Sequence, residues 1–110
     1  MSVTENETWL IFRGDEVIDK IESSGISALC NVELLIYHFW WVDYFMRNSG
    51  DLNQLYDIKP GCLSMIEKIS TNLGISECSK FFNNDVSFIE KYYYKFFESI
   101  CLDIRRVDNS

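Results

Sequence analysis

Along the chain, apolar residues recur at spacings of three and four, and no segment shows sustained strand-like alternation. The last third is the clearest case. Phe88, Ile89, Tyr92, Tyr93, Phe96, Phe97, Ile100, Cys101 and Ile104 follow as a stripe whose members lie three or four residues apart, which predicts one amphipathic helix. Ser87 followed three residues later by Glu90 predicts a capping box at its start. Glu90, Lys91, Lys95, Glu98 and Asp103 fall on its flanks, where Lys95 and Glu98 are spaced to pair.

Earlier segments follow the same period. From Thr4 to about Ser23, the spacings among Gly14, Val17, Ile18 and Ile21 suit one amphipathic helix with a potential break at Gly14. A second helix is expected from Asn31, as N-cap, to about Arg47. Between Val32 and Met46 only Glu33, His38 and Asp43 are strongly polar. A membrane span needs about 20 apolar residues, so this shorter, charged run predicts a central helix wrapped by the others. Asp51 to Asp57 reads as a short helix or turn with Leu52, Leu55 and Tyr56 facing inward. Pro60 suits the first position of a helix through Leu73, closed by Gly74, and Ser76 suits the cap of another through Phe82. The pattern predicts an all-α fold in which residues 1–110 form a single compact domain of five or six helices around a central apolar helix.

Composition supports a folded core. The 110 residues are 47% hydrophobic and 15% aromatic, which argues against wholesale disorder. The clusters Phe39, Trp40, Trp41, Tyr44, Phe45 and Tyr92, Tyr93, Tyr94, Phe96, Phe97 lack the positive groove of a single-strand stacking platform, so core packing is expected of them. Their surplus leaves room for a homodimer or partner interface.

The net charge of −7 disfavours direct binding to a phosphate backbone. All of the excess lies in residues 1–58, where Glu5, Glu7, Asp15, Glu16, Asp19, Glu22, Glu33, Asp43, Asp51 and Asp57 face only Arg13, Lys20 and Arg47. Such asymmetry speaks of a surface rather than of a fold. Asp15, Glu16, Asp19 and Glu22 share one flank of the first helix, which alone is too sparse to imitate a DNA duplex, and Glu5, Glu7, Glu33, Asp43, Asp51 and Asp57 are available to supplement it. The candidate partner-binding set is Asp15, Glu16, Asp19, Glu22, Glu33, Asp43, Asp51 and Asp57. A solvated, solubilising face and a recognition face both fit the charge.

Catalytic constellations are missing from the sequence. His38, the single histidine, lies in the most apolar helix with no nucleophile placed to serve it, so a buried, hydrogen-bonded structural role is expected. Isolated glycines form no phosphate loop, and no calcium-loop pattern occurs. Cys30, Cys62, Cys78 and Cys101 contain no CxxC pair, and without a visible signal peptide they are expected as free core thiols of a cytoplasmic protein. No enzyme, cofactor or metal is expected.

The stretch from Glu33 to Gly74 resembles a helical family of domains of unknown function that includes a bacterial DNA-mimic protein. The resemblance rests on Asn48-Ser49-Gly50, Leu52-Asn53-Gln54 and the closing Leu73-Gly74. Ser49 stands where the family has glycine, Leu52 replaces an aromatic residue, and Asp51 is an insertion. The resemblance implies an all-helical monomer or dimer whose carboxylates imitate phosphates, without catalytic residues. The expected function is therefore inhibition of a basic nucleic-acid-binding partner, such as a transcription factor, a nucleoid protein or a restriction or CRISPR nuclease. The alternatives are an immunity protein that neutralises a basic toxin and, from another class, a small hydrolase or metal protein using His38 and the cysteines.

Overall fold

A computed structural model describes residues 4–108. Its elements are α1 (Glu5–Ser24), a 3₁₀ turn (Ile26–Ala28), α2 (Asn31–Ser49), α3 (Asn53–Ile58), α4 (Cys62–Leu73), α5 (Ser76–Phe82) and α6 (Val86–Asp108). No strand occurs among the described residues. The helices form one globule with α2 at its centre, packed on α1, α3, α4 and α6.

The expected stripes make the core. Leu35, Ile36, Phe39 and Val42 of α2 are wholly buried together with Leu10 and Val17 of α1, Ile66 of α4, and Ile100 and Ile104 of α6. Full burial of each such side chain contributes about 1.5–3 kcal/mol. The Phe39 ring sits at the middle, 6.1 Å from Phe82, 6.2 Å from Tyr93 and 5.9 Å from Phe97 between centroids. This ties α2 to both α5 and α6.

Several local expectations change. Gly14 does not break α1: a Cβ built there would lie 2.3 Å from Cδ1 of Trp40, so the glycine lets α2 approach α1 closely. Cys30, not Asn31, is the N-cap of α2, and its N–H donates to the Glu33 carboxylate at 3.0 Å. Tyr56 faces outward, because inward contact on α3 falls to Leu55 and the preceding Leu52. Pro60 precedes α4, which starts only after Gly61 turns the chain at a φ of 83°. The Gly74 stop is confirmed, with the Ile75 N–H closing back on the Ser70 carbonyl.

The start of α6 also differs. Asp85 takes the Phe88 N–H at 2.9 Å, so the Ser87–Glu90 box does not form, and Glu90 instead accepts from the Leu52 N–H at 2.8 Å. Glu98 pairs with Asn6 rather than Lys95. Asp103, expected on a flank, is buried, where it accepts from the Cys78 N–H and from Arg106.

Candidate interaction surface

Because Leu10, Gly14 and Val17 turn α1 inward, the opposite side of that helix is exposed. Ile11, Phe12, Asp15, Glu16, Asp19 and Glu22 are exposed along its middle, with Glu5 and Thr8 exposed before them and Ser23 and Ser24 after. Asp15, Asp19 and Glu22 make no hydrogen bond or ion pair among the described residues, and Glu16 lies 3.9 Å from Arg13. Four of the expected partner-binding carboxylates are thus brought together on one face.

The nearby cations point elsewhere. Arg13 binds Asp108 at 3.1 Å and stands 3.6 Å from Glu33, while Lys20 donates to Glu33 at 2.9 Å. Arg47 binds Asp43 at 2.9 Å and lies 3.5 Å from Glu7. Every base of the acidic half is therefore spent on a residue other than Asp15, Asp19 or Glu22.

Two members of the expected set are not on the surface. Glu33 is 9% exposed, and its hydrogen bonds from the Cys30 N–H and from Lys20 hold its carboxyl down at about 2. Asp43 is 8% exposed; burial pushes its carboxyl up, opposed by hydrogen bonding from Tyr93 and by Arg47. Both are internal partners, since an unpaired buried charge would be far costlier than a paired one. Asp51 is partly buried and accepts from the Asn53 N–H, while Asp57 is exposed on α3.

Aromatic residues border the acidic face. Trp40, lodged against Gly14, stacks on Tyr44 with centroids 5.6 Å apart and planes 18° from parallel. A groove of about 230 Å³ between α1 and α2 is lined by Ile11, Asp15, Trp40, Asp43, Tyr44, Arg47 and Asn48. Ile11 is 50%, Phe12 67% and Tyr44 44% exposed, so part of the aromatic surplus lies outside the core. Ile11 and Phe12 each stand four residues before Asp15 or Glu16 and extend their rows.

His38 is partly buried, and its buried Nδ1 has no hydrogen-bond partner among the described residues, which corrects the expectation of a bonded imidazole. Burial, then the charge of Lys59, lowers its pKa. All four cysteines are free, but Cys30 is exposed because it caps α2 at the surface. No group of three or more His, Cys, Asp or Glu residues among those described could hold a metal ion, and no helix is long and apolar enough to cross a membrane. No family model, curated protein or solved structure matches the chain.

Proposed function

We propose that the protein is a cytoplasmic, acidic inhibitor that occupies the nucleic-acid-binding surface of a basic partner through the outer face of α1. The observation that carries this reading is a row of carboxylates placed against the helix's own interest. Glu22 stands in the last turn of α1, where the macrodipole disfavours an acid and no base is present. Asp15 and Asp19 repeat at spacing four, a repulsive register. Meanwhile the nearby bases bind Asp108, Glu33 and Asp43, and within the row only Glu16 has a base beside it, Arg13 at 3.9 Å.

Spacing supports the same reading. Four carboxylates between residues 15 and 22 span about 10.5 Å of helix axis, or about one charge per 3.5 Å, close to the ~3.4 Å per phosphate of one DNA strand. The row supplies the axial charge density of one strand, and the duplex density of about one charge per 1.7 Å needs acids from neighbouring elements beside it. The resemblance carried by Glu33 to Gly74 agrees with this role, and the four free thiols suit a reducing compartment.

Affinity capture tests it. A basic partner retained at low salt and released by competing duplex DNA is expected, with capture lost when Asp15, Glu16, Asp19 and Glu22 are all changed to Lys. Unchanged capture by that variant overturns the reading, and a partner indifferent to DNA replaces the mimic role with that of an immunity protein.

A further inference from the structure

Several surface rings of this protein carry one of its own cations. Arg105 lies over Trp9, Lys59 over Tyr37 and Trp41, and Lys91 and Lys95 over Tyr92. No cation sits over Trp40 or Tyr44 among the described residues. Arg47, which lines their groove together with Asp43, is turned onto Tyr94 and Phe97, with its guanidinium carbon 5.3 and 4.8 Å from the ring centroids, and its charge is matched by that Asp43. Beside the mutually paired Asp43 and Arg47 and the polar Asn48, the groove therefore offers stacked aromatic rings, the apolar side chain of Ile11 and the carboxylate of Asp15, its one acid without a cation.

We infer that this groove seats an arginine side chain of the partner; the inference rests on the acidic-inhibitor reading and names the residue class that anchors it. A planar guanidinium can lie against an aromatic face while its edge donates to a carboxylate, whereas a lysine ammonium presents only a point charge. Ile11 covers the aliphatic stem. A basic nucleic-acid-binding surface supplies such arginines, and Asp15 joins the groove to the rest of the acidic row.

The test is calorimetric titration of the full chain, at low salt, with a synthetic Arg-Gly repeat peptide and a Lys-Gly peptide of equal length and charge. The arginine peptide is expected to bind several-fold more tightly. Tyr44→Ala and Asp15→Asn, both at exposed positions, should each weaken it by about three- to tenfold and remove the preference over lysine. Equal binding of the two peptides, binding of neither, or indifference to Tyr44→Ala overturns the inference. A double variant, Asp19→Asn with Glu22→Gln, separates the two readings. If it weakens both peptides equally while Tyr44→Ala does nothing, the row stands and the groove falls; if only Tyr44→Ala acts, the groove stands and the row falls.

Discussion

The phenolic hydroxyl of Tyr93, wholly buried on α6, donates a 2.6 Å hydrogen bond to Oδ1 of Asp43 on α2, and the same carboxylate accepts from Arg47. This contact explains how a charged residue occupies the most apolar helix without facing solvent. It also separates the structural acids of the chain from the displayed ones. Tyr93→Phe removes the donor and leaves the buried carboxylate partly unsatisfied, so it is expected to cost about 1–3 kcal/mol of stability. Chemical denaturation of the two proteins, compared at equal m-values, measures this, and an unchanged midpoint would refute it.

Trp40 against Gly14 supplies a second test. In an exposed helix, Gly→Ala stabilises by about 1 kcal/mol. Here the added methyl would meet the indole at 2.3 Å, and that ring is held by its stack on Tyr44. Gly14→Ala is therefore expected to destabilise by about 1–3 kcal/mol despite the gain in helix propensity. Thermal denaturation should show a lowered Tm, with much of the loss recovered when Trp40→Leu is added.

The fold was legible because helical spacing is a local signal. The paired residues from Phe88 to Ile104 and the apolar run from Val32 to Met46 name their own inward faces. Polar residues are different, since their role depends on what the rest of the chain brings to them. Glu90 completes a capping box by spacing, yet Leu52, 38 residues away, presents an N–H that takes its carboxylate. Glu33, Asp43 and Asp103 look like surface charge until Lys20, Tyr93 and the Cys78 N–H reach them. The acidic row of α1 was visible in advance because it needs only one helix, but its aromatic border needs the approach of α2 at Gly14.

His38 and Glu33 should each take away stability as pH falls, in two successive ranges, against an opposite contribution from Asp43, whose raised carboxyl favours the folded state when protonated. The His38 pKa is depressed in the folded protein, so below its ordinary 6.5 the unfolded chain gains a proton that the folded chain resists, and stability declines with falling pH. Glu33 acts lower: its folded value of about 2 against 4.5 gives stability that is complete above 4.5 and lost as pH falls toward about 2. Glu33→Gln should remove the lower stage, at a neutral-pH cost of at most about 3 kcal/mol. His38→Leu should remove the upper one. Tm measured across the acid range checks both, and a curve unchanged by either substitution contradicts the assignment.

Thiol chemistry distinguishes Cys30 from the rest. Burial pushes the Cys62 and Cys78 thiols up to about 12 and Cys101 upward as well, and all three are sealed in the core. Cys30 is exposed at the start of α2. Titration of the native protein with an aromatic disulfide reagent should modify one thiol quickly and the other three only after unfolding. Rapid native labelling of more than one, or loss of the fast phase in any variant other than Cys30→Ser, would contradict the packing.

Neutralising the displayed acids should make the protein more stable. Asp15 and Asp19 repel at spacing four, Glu16 with Asp19 and Asp19 with Glu22 at spacing three, each by about 0.2–0.5 kcal/mol. Glu22 adds an unfavourable macrodipole interaction of about 0.3–1 kcal/mol in the last turn. Against these stands only the 3.9 Å pair of Glu16 with Arg13, worth tenths of a kcal/mol. Changing all four to Asn or Gln is thus expected to raise stability by about 1 kcal/mol at low salt, with the gain shrinking as salt screens the repulsion. The same change at Glu33 should do the opposite. If capture of a basic partner is lost in the stabilised variant, the row's role in binding is separated from any role in folding, since a misfolded protein could not have gained stability. A quadruple variant less stable than the parent would instead mean that these carboxylates hold the fold.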